Sequence, residues 1–145
     1  MCSLVFLTSA CTPSNTKSTK HQSHANLICQ QAASYAGKVV GDGECVSLIK
    51  ICSGSPETKY WRPGAKVMTS SKLKAGTVIA TFKNNRYPNL RGYHAAIYIK
   101  HDKKGIWVWD QWRGKAVHQR LIKARHDGAT ANNTANAYRV VELAQ

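Results

Sequence analysis

Five segments in the second half of the chain favour β-structure, and they constrain the fold more than any other feature. Each is rich in β-branched and aromatic residues, and turn-forming residues separate them: TVIATF at 77–82, YHAAIYIK at 93–100, IWVWDQW at 106–112, AVHQRLI at 116–122 and AYRVVEL at 137–143. The connections 101–105 and 113–115 are short enough to be hairpin turns. The pattern predicts five strands in a mostly antiparallel sheet.

The sequence of the first half of the domain predicts two helices. Asn26 can cap a helix that runs to about Ala36, where Gly37 supplies a stop. A second, shorter helix is expected over 45–52, and 53–76 is interpreted as an irregular connection. Because helices precede strands instead of alternating with them, the class is α+β, with N-terminal helices packed on a roughly five-stranded sheet.

The length of 145 residues suits one domain with a single core. Residues 12–25 are polar and rich in Ser and Thr, without an apolar period, so 1–25 is interpreted as a flexible leader and 26–145 as the domain. Nowhere does the sequence approach the roughly 18 consecutive apolar residues of a membrane-spanning helix. We therefore expect no transmembrane segment, and a monomer.

The extreme N-terminus carries part of an export-signal pattern. Leu4 to Leu7 is apolar, and Thr8 and Ala10 place small residues three and one positions before Cys11. The apolar core is short and no basic residue precedes it, so the segment is interpreted as the remnant of a signal. A secreted protein is the expectation.

The charge balance is unusual, with 21 Lys and Arg against 7 Asp and Glu and a formal net charge of +14. Such a field attracts polyanions, among them nucleic acid, anionic membrane and the bacterial envelope. The basic residues are spread along the chain and no standard nucleic-acid motif accompanies them. Specific nucleic-acid binding is therefore the least favoured of these partners.

Cys45 is the candidate nucleophile. A thiolate attacks carbonyl carbon, and the start of the predicted helix at Cys45 would favour the thiolate through the helix dipole and free N–H groups. Asp42 or Glu44 can cap that helix, although the charge of Glu44 opposes ionisation of the thiol. Position alone is therefore not sufficient, and a base is needed.

His94 is the candidate base, because it begins an apolar strand where an imidazole can reach the rim of the sheet. Asp110, on the next predicted strand, is the candidate for the third group that orients the imidazole. Arg113 is an alternative partner for Asp110, and Gln111, on the opposite strand face, is a rival orienting residue. The remaining candidates, His101, His118 and His126, are expected to be surface residues.

These motifs in their order resemble a known family. GECVSLIK, the W-x-P-G of 61–64, GTVIATF, GYHAAIYI and WVWDQW are similar to the papain-like NlpC/P60 and CHAP peptidoglycan amidases. They resemble more closely the second family of type VI secretion amidase effectors and its domesticated, secreted relatives in arthropods such as ticks. The resemblance spans roughly residues 26–143.

The resemblance implies a papain-like fold and a cysteine amidopeptidase acting on bacterial peptidoglycan, with Cys45 and His94 as the catalytic dyad. It further implies cleavage of the crosslink between D-alanine and diaminopimelate, and antibacterial lysis. No metal or organic cofactor is expected. The high charge, additional cysteines and possible export signal depart from the bacterial effectors and favour an extracellular, domesticated form.

The five cysteines are an odd number, which favours one free thiol beside paired ones. Cys29 on the first predicted helix and Cys52 at the end of the second can form a disulfide if the helices pack, although Cys11 can replace either.

Two other functions stay open. The same dyad supports a thiol acyltransferase or a protein-directed protease, and the charge supports a non-enzymatic cationic protein that binds walls or membranes.

Overall fold

The fold is built on a six-stranded antiparallel sheet in the computed structural model, which describes residues 26–144. The expected leader and export-signal remnant, with Cys11, lie outside the described residues. The strands are β1 (Trp61–Lys66), β2 (Val78–Thr81), β3 (Ala95–Asp102), β4 (Gly105–Trp112), β5 (Lys115–Lys123) and β6 (Tyr138–Leu143), in the spatial order β1-β6-β2-β3-β4-β5. All five predicted strands are present, and the antiparallel sheet is confirmed.

The sixth strand, β1, lies in the stretch that was predicted to be irregular. Its sequence contains Pro63 and Gly64, which signal a turn, yet β1 is an edge strand and pairs only with β6. An edge position tolerates proline because one side of the strand needs no hydrogen-bond donor. Gly64 allows a close approach as well, since a Cβ there would lie 2.6 Å from Glu142 Oε1.

The only α-helix in residues 26–144 is α1 (Cys45–Ser53), which confirms the second predicted helix. Its apolar residues Leu48, Ile49 and Cys52 are buried against the sheet, and Gly54 ends the helix in the left-handed conformation with φ of 68°. The N-cap residue is Glu44, but neither its side chain nor that of Asp42 accepts an N-cap hydrogen bond from the first turn of the helix backbone. Asp42 instead accepts hydrogen bonds from the Glu44 N–H and the Ser47 hydroxyl.

The helix predicted from Asn26 to Ala36 is wrong. Its first half is extended and pairs with the start of β2: Cys29 N–H donates to the Gly76 carbonyl at 2.8 Å, and Val78 N–H donates to the Leu27 carbonyl at 2.9 Å. A short 3-10 turn, Ala32–Tyr35, follows. Backbone hydrogen bonds to a distant strand outweigh a weak local preference for helix.

Two apolar clusters pack on the two faces of the sheet. On one face, α1 and the 26–40 segment cover residues such as Ala95, Ile97 and Val117. The other face packs Ile79, Ala96, Tyr98, Ile106, Val108, Ile122 and Tyr138. No helix in the described part of the chain is long and apolar enough to span a membrane.

The structure joins Cys29 and Cys52 in a disulfide, with their Cα atoms 5.2 Å apart. Both residues are buried in the α1-side cluster. The expected pairing is present, although Cys29 lies on an extended segment rather than on a helix. Cys45 is the free cysteine among residues 26–144.

Candidate active site

Gln111 holds the loop that leads into α1. Its fully buried side chain accepts a hydrogen bond from the Val40 N–H at 2.9 Å and donates to the carbonyls of Val40, at 2.7 Å, and Glu44, at 2.9 Å. The predicted rival orienting residue therefore contacts the backbone before Cys45 and not His94. Strand alternation explains this, because Gln111 and its neighbour Asp110 point to opposite faces of the sheet.

Cys45 is the first residue of α1 and is 8% exposed. Its Sγ lies 3.5 Å from the hydroxyl of Tyr87, a residue in the loop between β2 and β3. The Cys45 N–H, at the first helical position, has no acceptor within the helix. That N–H is therefore available as a donor, and the Tyr87 hydroxyl is the side-chain group in contact with the thiol.

His94 lies immediately before β3 and is 6% exposed. Its backbone is fixed by Thr81 at the end of β2: the His94 N–H donates to Thr81 Oγ1 at 2.9 Å, and the Thr81 N–H donates to the His94 carbonyl at 3.0 Å. The Nε2 atom lies 2.8 Å from Asp110 Oδ2. The other ring nitrogen, Nδ1, takes no part in the contact with Asp110.

Asp110 is fully buried, and its carboxylate has two partners on one oxygen. Oδ2 receives the contact from His94 and a hydrogen bond from Arg120 Nε at 2.7 Å. Oδ1 has no hydrogen-bond partner among the described residues, and His118 Nε2 lies 3.9 Å from it. The expected alternative partner, Arg113, pairs instead with Glu44 at 3.0 Å near the surface.

The three side chains shift one another's proton affinities. Burial raises the pKa of the Cys45 thiol, but the interaction with the His94 imidazole outweighs it, so the pKa falls below its usual value. Burial lowers the pKa of His94, but Asp110 and Cys45 raise it to about 9. Opposing shifts of this kind favour the thiolate and imidazolium together at neutral pH.

Asp110 remains the counter-ion of this pair. Burial raises the pKa of its carboxyl group, but His94 and Arg120 outweigh burial and hold the pKa below its usual value. The carboxylate is therefore ionised at neutral pH, when the imidazolium needs a negative partner. A thiol, an imidazole and a carboxylate are the groups from which a nucleophile, a base and an orienting acid can be built.

Cys45 and His94 line a cleft of about 900 Å³, and Asp110 lies buried behind His94. Its walls carry both signs of charge, and its lining includes Asp42, Glu44, Lys50, Arg91, Arg113 and Arg120. An elongated, charged peptide fits such a cleft better than a small apolar ligand does. Residues 26–144 contain no group of three or more His, Cys, Asp or Glu side chains arranged to hold a metal ion.

Four residues of the site were not predicted as such: Tyr87, Trp112, His118 and Arg120. Tyr87 lies in a loop without periodicity, and its contact with Cys45 spans 42 positions of sequence. His118 was expected at the surface, but its side chain is only 25% exposed and its ring lies 4.9 Å from that of Trp112. The one available signal was alternation along β5, which places His118 and Arg120 on the same face.

The fold and the site define a class: an antiparallel α+β domain with a thiol at a helix start, a histidine immediately before one strand and an acid on the next. The chain belongs to the family described as domesticated amidase effector 2, whose sequence profile matches residues 18–141. The resemblance read from the sequence motifs is thereby confirmed.

Individual relatives agree with this assignment. The chain is 38% identical over 118 residues to a type VI secretion amidase effector 2 protein of Salmonella typhi, covering 72% of this chain and 89% of that one. It is 33% identical over 121 residues to domesticated amidase effector 2 of Ixodes scapularis, covering 77% and 82%. A solved structure of type 6 secretion amidase effector 2 superposes with a TM-score of 0.76 at 36% identity, covering 81% and 95%.

Proposed function

We propose that the protein is a cysteine amidase that hydrolyses the peptides of bacterial peptidoglycan. The observation that carries the proposal is that Cys45 and His94 line the same cleft, and that His94 Nε2 lies 2.8 Å from the buried Asp110 carboxylate. Membership of a family whose relatives are named amidase effectors supports an amide bond as the target. Cys45 is the nucleophile, His94 the acid and base, and Asp110 the residue that orients the imidazole.

The proposed reaction has two steps. The Cys45 thiolate attacks the carbonyl carbon of the scissile amide, and His94, as imidazolium, gives its proton to the leaving nitrogen, so that a thioester and a free amine result. The neutral imidazole then takes a proton from water, and the resulting hydroxide attacks the thioester. This step releases a carboxylic acid and restores the thiolate and imidazolium.

The oxyanion formed in each step needs preorganised donors. The Cys45 N–H is one, and we assign the Tyr87 hydroxyl as the second because it lies 3.5 Å from Sγ. Burial and the neighbouring thiolate raise the pKa of Tyr87, so that the hydroxyl keeps its proton at any physiological pH. A donor that cannot ionise suits a transition state that accumulates negative charge.

The finer features of the proposal are a papain-like NlpC/P60 fold, secretion, and cleavage of the D-alanine to diaminopimelate crosslink with lysis of the bacterium. A cysteine at a helix start, with a histidine immediately before a strand in the same cleft, supports the first. Wall peptides carry carboxylates, which the basic residues Lys50, Arg91 and Arg113 of the cleft complement. The net charge of +14 would concentrate the enzyme on an anionic wall.

The test is digestion of purified peptidoglycan by the wild-type protein and by Cys45→Ala and His94→Ala, with mass spectrometry of the released fragments. We expect crosslinked peptides to be converted to uncrosslinked ones by the wild type alone. Deleting either member of such a dyad costs about 10³-fold or more in turnover. Circular dichroism checks that each variant is folded, and Lys103→Ala, a turn residue outside the cleft, serves as the control.

The outcomes separate the competing functions. Equal hydrolysis by the wild type and Cys45→Ala would refute the mechanism. Killing of bacteria that survives Cys45→Ala, without new fragments, would point to a cationic protein that binds walls or membranes. Transfer of the acyl group to an added amine, in place of hydrolysis, would identify a thiol acyltransferase.

A further inference from the structure

We propose that Arg120 is a positioning residue that fixes the Asp110 carboxylate for His94, so that the site is a four-membered chain, Cys45–His94–Asp110–Arg120. This role rests on the proposed function of the first three residues. The mechanism of the Cys45–His94 dyad does not itself require Arg120, whose side chain is largely buried.

The hydrogen bonds to Asp110 carry the proposal. Arg120 Nε, at 2.7 Å, and His94 Nε2, at 2.8 Å, contact the same atom, Oδ2. A carboxylate with a single partner can rotate and offer either oxygen. Two donors on one oxygen define its direction, and a charged donor makes the stronger bond. Arg120 therefore selects the oxygen that faces the imidazole.

Arg120 is itself held in place by aromatic packing. Its guanidinium carbon lies 5.3 Å from the ring centroid of Trp112, a distance that suits a cation–π contact. The Trp112 ring also meets the rings of His118, at 4.9 Å, and His94, at 6.3 Å. The side chain of Arg120 is only 23% exposed. It is thus oriented before any substrate binds.

The sheet register places these groups together. Asp110 pairs with His118 across β4 and β5, and Arg120 lies two residues further along the same face of β5. Diagonal neighbours of this kind are within reach of a long side chain. The contact therefore follows from backbone pairing and does not depend on a flexible loop.

Arg120 also balances the charge of the buried groups. With Cys45 as thiolate and His94 as imidazolium, the four groups alternate in sign and sum to zero. Loss of the guanidinium would leave the buried carboxylate with less compensation, a costly state. The pKa values of Asp110, His94 and Cys45 would each rise, because a nearby positive charge has been removed.

Arg120 also lines the cleft, so a direct role in binding substrate is the rival to be separated. A residue that binds substrate would alter KM and would act independently of Asp110. A positioning residue acts through Asp110, changes kcat, and loses its effect when the carboxylate is absent. A double-mutant cycle measures this difference.

The experiment compares Arg120→Gln, Arg120→Lys, Asp110→Asn and the Asp110→Asn/Arg120→Gln double variant with the wild type. Arg125→Gln, which removes an exposed ion pair with Asp127, is the matched control. The first measurement is the rate of Cys45 alkylation by iodoacetamide from pH 4 to 11, followed by peptide mass spectrometry. The second is kcat and KM on purified soluble peptidoglycan fragments.

For Arg120→Gln we expect kcat at pH 7 to fall by about tenfold or more with KM within about twofold, because orientation is lost and binding is not. Its alkylation profile should move to higher pH by about half a unit or more, since a positive charge is lost. Arg120→Lys keeps the charge and should leave the profile in place while lowering kcat.

In the Asp110→Asn background, Arg120→Gln should cause no further loss of kcat. Additive losses, a rise in KM with an unchanged alkylation profile, or wild-type kcat in both Arg120 variants would overturn the proposal. Alkylation requires no wall substrate, so its profile reports on the four groups even if the wild-type protein leaves peptidoglycan intact. That last result would overturn the proposed function by itself.

Discussion

Replacing Gln111 by methionine should destabilise the loop that leads to Cys45 and lower the reactivity of its thiol, without changing Cys45, His94 or Asp110. Methionine has nearly the volume of glutamine, so the perturbation is the loss of three hydrogen bonds and not a cavity. The bonds join Gln111 to the Val40 N–H and to the carbonyls of Val40 and Glu44. All three backbone groups belong to the segment just before α1.

The magnitude follows from the number and burial of these bonds. A net contribution of about 1 kcal/mol for each bond gives about 3 kcal/mol, and backbone groups left unpaired away from water add to that cost. With a urea m-value of about 2 kcal/mol per molar, the unfolding midpoint should fall by about 1.5 M. A loss of this size is a large fraction of the stability of an ordinary domain.

The assay is urea denaturation followed by circular dichroism, together with the rate of Cys45 alkylation at pH 7. Gln119→Met is the matched control, because Gln119 is an exposed residue of the adjacent strand β5. It should change the midpoint by less than about 0.3 M. A Gln111→Met protein with the wild-type midpoint and alkylation rate would refute the role assigned to Gln111.

Two further predictions concern the disulfide and the oxyanion site. Reducing the Cys29–Cys52 bond, which closes a separation of 23 residues, should cost about 3 kcal/mol and lower the melting temperature by about 10 °C. Calorimetry with and without dithiothreitol measures this, and identical transitions would show that the two cysteines are not bridged. Tyr87→Phe should lower kcat by about 10²-fold with little change in KM if its hydroxyl binds the oxyanion. Unchanged kcat in a folded variant would assign the second donor elsewhere.

The elements that could be predicted from the sequence are those with a strong local pattern. The five β-rich segments became strands β2 to β6, and the apolar run after Cys45 became α1. The two failures, the helix from Asn26 and the missing strand β1, involve segments whose structure depends on a partner strand. Residues 27–29 pair with the segment that leads into β2, and β1 pairs with β6.

The residues of the candidate site also differ in whether a local sequence signal marks them. Cys45, His94 and Asp110 were candidates because each has a chemically suitable side chain at the start of a predicted helix or on a predicted strand, and the family resemblance implies the first two as the dyad. Arg120 and Tyr87 carry no such local signal. Which arginine meets Asp110 depends on the β4–β5 register, which brings Arg120 to the carboxylate and leaves Arg113 to pair with Glu44.

The sequence by itself determined five of the six strands, the helix α1, the family resemblance and the candidates Cys45, His94 and Asp110. Residue type, alternation and short motifs act over a few neighbouring positions, and they can be read without knowing the fold. Only the tertiary structure decided that Gln111 holds the loop before the nucleophile, that Tyr87 borders the thiol and that Arg120 shares an oxygen of Asp110 with His94. Those contacts join residues 10 to 71 positions apart, and strand register and packing alone bring them within hydrogen-bond distance.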